Sequence, residues 1–574
     1  MGENQYIFLG FRKNMTNIVS PEELWNGVEI SDDLAAEVSA TREADGNVYK
    51  EVYFNGKKIG DAVTRIYGVL AYPKGKERLP VVLLVHDADS SIDYSYVNFF
   101  LRQNFAVFMC DMYGKAEGRK YTYYPEELEY ANRSFGDNER LVKDSPEKTM
   151  IYEWTLVQRY AIRFIRTASE VDGERIAAVG IRDGAELIWQ LAYLEPELRC
   201  AAALFYAGWG ELGLSYKNDE NKQSEITNEL AAYVAAFSPQ SYAPIIKVPL
   251  MYLTASDSEI ANLDRAFDTM ARINGEISSP MYITPNSVNS IDCFGTKDLN
   301  MWLCSHLLDE KVPTPDKPML SLENFSNKLL AKCVVDDPSA VKTVTLYYSE
   351  GSFIPSRRCY FPRRLSLSGG GNFVGSVDIS SSDEFVYAFV NVEFESGYCL
   401  TSNFVNVHLS EMGFEKELVR ENLIYNGLME EDVFSAIPSP CDNSANGTFI
   451  EKNQLFVKEG VGGIEGISSP LNLATFKLSH PKFKGKDDEL LVFDVCTDNV
   501  MSITLCAYCS LGSPERDVHK AVVATVGGPL WQNFKLQKAD FKDENNKPLS
   551  DWGDITLLCF EGDGEFIVNN VLWV

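Results

Sequence analysis

The chain has 574 residues, with 53 Lys and Arg against 82 Asp and Glu, a formal net charge of −29. At about 150 residues per domain this length argues for several domains rather than one all-α or all-β unit. So acidic a surface repels phosphate backbones and anionic membranes, so neither nucleic acid nor membrane is expected as a partner. Apolar residues make up 45% and charged residues 24%, the proportions of a globular protein. No apolar run approaches the roughly 20 residues that span a bilayer. The N-terminus, MGENQYIFLGFRKNM, lacks a signal-peptide core, so the chain as given is read as cytoplasmic. Removal of a signal would instead make it secreted. Twelve Cys are scattered singly; the close pair Cys506 and Cys509 sits in a strand-like run without a second pair, and is read as buried thiols rather than a zinc site. Histidine is scarce: His86, His306, His408, His480 and His519 are all there are.

Residues 1–60 are polar and mixed and are read as a lead-in to the first domain. Strands are predicted at 62–73, 80–90, 105–114, 175–181, 200–208, 248–257 and 279–286. Helices are predicted at 148–169, from Gly184 to about Glu195, and near 224–236, 259–273 and 295–309. Short apolar strands alternating with amphipathic helices make a mostly parallel sheet covered on both faces, with its site at the carboxyl ends of the strands. The Pro-rich stretch KVPTPDKP (311–318) is a linker. Beyond it the helical period gives way to short alternating runs, read as a small antiparallel Ig-like sandwich over 318–411 and a two-sheet jelly roll over 415–574. The expected division is therefore 1–312, 318–411 and 415–574.

The run from Asp172 to Phe205 contains a strand, then Gly180-Ile181-Arg182-Asp183-Gly184, then a helix. This resembles the G-x-S-x-G nucleophile elbow of the α/β-hydrolase fold. Other pieces follow in order: HDAD (86–89) where an oxyanion loop would stand, CDMYG (110–114), the helix YEWTLVQRYAIRFI (152–165), TASDSEI (254–260) and TPNSVNSID (284–292). Together they resemble acetyl-xylan esterase and dienelactone-hydrolase-like proteins over about residues 20–310. The resemblance implies a nucleophile at Arg182, an acid at Asp257, a His near Asn289 and Ser290, and oxyanion donors from His86, Asp87 and Ala88.

Serine-hydrolase chemistry needs a nucleophile, a His to take its proton, an acid to orient that His, and oxyanion donors. The elbow position here is Arg182, a permanent cation that cannot attack a carbonyl. No His lies between residues 87 and 305, and Asp87 and Asp89 put carboxylates where negative charge would develop. Only Asp257 matches its role, and it reads equally well as a helix N-cap. His86 reads as a strand-end residue and His306 as a packed helix residue. The alternative is an active carbohydrate esterase whose Ser comes from an insertion, served by His86 or His306.

The closing segment, 531–574, resembles the last strands of galactose-binding-like jelly rolls, the fold of many carbohydrate-binding modules. The resemblance implies sugar stacking on Trp531 or Trp552, with Trp573 on the final strand a candidate for either platform or core. It leaves room for a structural calcium on Asp540, Asp543 and Asp563; no other cofactor is expected. The expectation is a catalytically degenerate, esterase-like protein that binds a carbohydrate.

Overall fold

The computed structural model describes residues 18–574 except 32, 87–91, 134–140, 211–225, 262, 309–311, 382, 416–417, 430–433, 441, 443, 510 and 512–516. The N-terminal part is built on a nine-stranded sheet. Its strands are β1 (Glu37–Ala44), β2 (Asn47–Ile59), β3 (Ala62–Pro73), β4 (Leu79–Val85), β5 (Ala106–Cys110), β6 (Val171–Ile181), β7 (Cys200–Leu204), β8 (Leu250–Ala255) and β9 (Met281–Thr284), in the order β1-β2-β3-β5-β4-β6-β7-β8-β9. The six strands from β5 to β9 run parallel, while β1, β2 and β3 form an antiparallel edge. The polar lead-in is thereby corrected: Glu37–Ala44 and Asn47–Ile59 are the first two strands. Their partly exposed faces hide the apolar alternation that would have marked them.

The helices are α1 (Pro21–Leu24), α2 (Tyr94–Arg102), α3 (Met150–Thr167), α4 (Asp183–Leu194), α5 (Asn228–Phe237), α6 (Pro239–Tyr242), α7 (Leu263–Ala271) and α8 (Cys293–Leu307). β4, β5, β7, β8 and β9 are almost wholly buried, as strands covered on both faces must be. Alternate residues of each strand join separate cores on the two faces.

Two antiparallel sandwiches follow. The middle one packs Met319–Phe325, Lys328–Val334, Phe373–Val377 and Ser366–Leu367 against a sheet of Phe361–Arg364, Val341–Glu350, Phe385–Phe394, Cys399–Thr401 and Val405–His408. The C-terminal one has a six-stranded and a five-stranded sheet enclosing Phe493, Leu505, Phe560 and Val568.

The three units share their cores. Edge strand β9 would leave bare backbone groups on its outer side. Thr401 Oγ1 instead accepts from Ile283 N (2.9 Å), and Asn391 Nδ2 donates to Ile283 O (3.0 Å), so the middle sandwich covers that edge. Tyr360, Tyr387 and Phe389 extend one hydrolase core into the middle sandwich. Phe449, on the chain leading into the C-terminal sandwich, stacks on Phe99 of α2 with ring centroids 4.3 Å apart and completes the other.

A molecule with merged cores should unfold as one unit. Urea denaturation is expected to show a single transition, and Phe449→Ala, which empties a buried aromatic site, should cost about 3–5 kcal/mol. Separate transitions for the hydrolase and β regions in the wild type would contradict this.

Candidate functional site

The elbow is built as the sequence spacing predicts. Arg182 joins β6 to α4 with φ 53° and ψ −115°, a left-handed conformation that costs energy for a bulky residue. The flanking glycines permit it. A Cβ on Gly184 would lie 2.2 Å from Val85 O, and one on Gly180 would lie 2.5 Å from Gly184 O. Only glycines let helix and strands approach this closely. Arg182 N donates to Leu204 O (3.0 Å), continuing the β6–β7 ladder through the turn. Its side chain is 7% exposed, with the guanidinium 5.6 Å from the Phe205 ring centroid.

Asp257 follows β8 and is completely buried. Ser256 Oγ donates to its carboxyl (2.5 Å), and Asn286 N in turn donates to Ser256 Oγ (2.7 Å). Burial pushes the acid well above the usual carboxylate range, against the opposing pull of the Ser256 bond and the Arg358 charge. Because α7 starts only at Leu263, Asp257 is not its N-cap. The cation acting on Asp257 is not Arg182 but Arg358, from the middle sandwich. Asp87, Ala88 and Asp89 of the expected oxyanion loop lie outside the described residues.

Arg358 itself forms a fully buried, two-pronged pair with Asp264 at 2.5 and 2.8 Å. It also donates to Ser352 O (2.8 Å) and Phe353 O (3.0 Å), and its guanidinium stacks 3.4 Å from the Tyr387 ring centroid. All this covers the side of the hydrolase where its acid stands.

The loop after β9, where the family resemblance puts the His, is committed to structure. Asn286 Nδ2 donates to Tyr360 O and its Oδ1 accepts from Tyr360 N, both at 2.8 Å. Asn289 Nδ2 donates to Pro440 O (3.2 Å) and Asp442 O (3.0 Å). Ser290 Oγ donates to Gly447 O (2.6 Å), and Ile291 exchanges backbone bonds with Thr448 and Ile450. Asn289 and Ser290 therefore hold domains together rather than face a nucleophile.

The two histidines named as alternatives stand in different places. His306 sits near the C-terminus of the fifteen-residue α8, bonds Trp302 O through Nδ1 (2.9 Å) and packs on the Trp302 ring. At 1.5 Å per residue it stands about 20 Å along the helix from the site edge of the sheet. His86 does lie at the carboxyl end of β4, buried, with its ring against Tyr96.

A cavity of about 700 Å³ opens where the three units meet, and sequence reasoning missed it because its walls come from three distant segments. Its floor includes Asn286 and Ser290 of the β9–α8 loop. Arg363, Arg364 and Lys452 bring cations to the rim, Asn453 and Gln454 bring amides, and Tyr347 and the exposed Phe294 bring aromatic faces.

The tryptophan expectation needs correction. Trp552 and Trp573 are core residues whose indoles donate to Glu489 O (2.9 Å) and Phe483 O (2.7 Å). Neither can offer a face to sugar. Trp531 is half-buried, with its ring over Gly460 and Gly466 and its Nε1 bonded to Val461 O (3.1 Å). The calcium set does not converge either. Asp540 closes a turn by accepting from Gln537 N (2.8 Å), Asp543 accepts from Asn545 N and Lys547 N, and Asp563 lies in the turn before the last strand.

Residues 66–272 match the model of the Dienelactone hydrolase family, and the domain they lie in has an α/β-hydrolase-like fold. Among solved structures, an acetyl xylan esterase from Paenibacillus sp. R4 is 16% identical, with 48% of this chain and 90% of that one covered and a TM-score of 0.39. Acetyl xylan esterase 1 from Thermoanaerobacterium sp. JW/SL YS485 is 18% identical, with 51% and 96% covered and a TM-score of 0.40. A putative acetyl xylan esterase from Bacteroides fragilis NCTC 9343 is 12% identical, with 46% and 72% covered and a TM-score of 0.33. No curated protein matches the chain. No described helix is long and apolar enough to cross a membrane.

Two variants test the buried acid and its cover. An acid whose folded pKa is raised stabilises the fold below its unfolded value, about 4, and that contribution is lost as pH rises through the folded value. Asp257→Asn should therefore melt progressively higher than wild type as pH goes from 4 to 8; parallel Tm curves would refute a neutral buried Asp257. Arg358→Ala strands Asp264 without its partner and should cost about 3–5 kcal/mol in urea unfolding.

Proposed function

We propose that this chain is a non-hydrolytic, esterase-like protein that binds carbohydrate. The observation that carries the reading is Arg182 on an intact elbow. The strained turn that presents a nucleophile is kept, but the residue it presents is a cation without nucleophilic power. The loop at the His position supports the same reading, since Asn289 and Ser290 are spent on the C-terminal unit. The acid position supports it too, because Asp257 is fully buried, is held by Ser256 and has its carboxyl pushed upward by burial.

The carbohydrate part rests on the jelly-roll resemblance and on the chemistry of the three-unit cavity. Aromatic faces suit the C–H faces of sugar rings, while amides and cations on the rim donate to hydroxyl and carboxylate oxygens. With Trp552 and Trp573 in the core, Tyr347, Phe294, Arg364 and Lys452 are the residues assigned to the sugar. Three cations at one mouth favour a polysaccharide bearing uronic acids.

The full-length protein should turn over neither 4-nitrophenyl acetate nor acetylated xylan, and Arg182→Ser should not restore turnover, because the loop at the His position carries Asn289 and Ser290 instead. Wild-type hydrolysis that disappears on replacing one Ser by Ala would sink this reading and favour the active esterase. In affinity electrophoresis, retardation by glucuronoxylan should fall in an Arg364→Ala, Lys452→Ala double variant. Equal retardation of both proteins would remove the cavity from the proposal.

A further inference from the structure

A second cluster lies far along the chain from the elbow, on the C-terminal sandwich. Strand Asp517–Ala524 is the outer strand of the five-stranded sheet. Asp517 and His519 are two residues apart on it and project from one face, the face that further along buries Ala521 and Val523. Where that face leaves the core, apolar residues give way to a carboxylate and an imidazole. The third member arrives through backbone pairing. Lys520 N donates to Lys542 O (2.8 Å) and Lys542 N to Lys520 O (3.0 Å), an antiparallel bridge that sets residue 543 beside residue 519. The side-chain ligand atoms of Asp517, His519 and Asp543 all fall within 4.8 Å of one another.

Two observations separate this group from a chance meeting of surface acids. First, His519 is only 4% exposed, and its Nε2 has no hydrogen-bond partner among the described residues, with the Asp517 carboxylate 3.5 Å away. A buried ring nitrogen left in this way is costly unless something binds it. Second, the ring is already oriented from behind: Cys509 Sγ lies 4.0 Å from Nδ1. A ligating His commonly has a polar partner on its other nitrogen, which fixes the tautomer and turns the free nitrogen to the metal. Asp543 is likewise held, its Oδ1 accepting from Asn545 N (2.8 Å) and Lys547 N (2.7 Å), which leaves Oδ2 for another partner.

We propose that Asp517, His519 and Asp543 bind a divalent transition-metal ion of the zinc class that ties the Asp543 turn to the outer strand. An imidazole nitrogen with two carboxylates suits a borderline ion of four to five ligands, water completing the shell. Calcium is a poor match, because it takes six to eight oxygens and gains little from imidazole. The site is independent of the sugar reading and stands if that reading fails.

The test uses the full chain, stripped with a chelator and titrated calorimetrically with zinc chloride, then separately with calcium chloride. Wild type should bind one equivalent of Zn²⁺ that Asp517→Asn and Asp543→Asn each weaken by about tenfold or more, with circular dichroism showing both variants folded. Zinc should raise the wild-type Tm and leave that of the variants nearly unmoved. Because the chain has other cysteines and histidines, only the difference between wild type and variants bears on the site. Identical zinc isotherms for all three proteins would overturn the proposal. So would a preference for calcium that the same variants abolish, which would assign the group to a hard cation.

Discussion

The rest of the structure depends on how residues 284–292 are held. In an open parallel sheet the carboxyl ends of the strands are where loops are free to carry chemistry. Here the last of these loops is bonded on two sides, by the Asn286–Tyr360 amide pair on one and by Asn289, Ser290 and Ile291 on the other. Each bond satisfies a buried polar group, so release of either sandwich would strand several at once. The loop has exchanged mobility for adhesion. The buried Arg358–Asp264 pair acts in the same sense beside it, since two charges withdrawn from water tolerate no separation.

Close packing likewise accounts for the elbow. The elbow turn is imposed by close packing: Gly184 lies against Val85, Gly180 against Gly184, and the β6–β7 ladder runs through Arg182 N. Those contacts hold the left-handed turn for whatever residue occupies it. At Asn289 and Ser290, amide and hydroxyl groups find backbone partners on the neighbouring unit. Asp257 is covered, and burial pushes its carboxyl well above the usual carboxylate range.

Much of this was legible in residue order. The strand–helix alternation, the elbow glycines and the change to short alternating runs after residue 318 each reflect a local period, and local periods survive in a single sequence. The absence of His between 87 and 305 was equally plain, and with it the missing base. β1 and β2 were not legible, because an antiparallel edge with partly exposed faces carries a diluted pattern. The tryptophans misled for a related reason. An indole in a β run looks the same whether it faces water or the core, and Trp552 and Trp573 lie against each other inside the sandwich, with centroids 5.0 Å apart.

By itself the sequence determined the fold class of the N-terminal unit, the all-β character of the rest and the presence of Arg182 at the elbow, since each follows from which residue types stand at which spacing. Only the tertiary structure decided what the vacated positions do. The clasp of Asn286, Asn289 and Ser290, the cover by Arg358, the cavity rimmed by Arg364 and Lys452, and the Asp517–His519–Asp543 group each join residues from separate segments of the chain. Their chemistry arises from proximity set by the packing of whole sheets, and no periodicity within one segment encodes a distance to another.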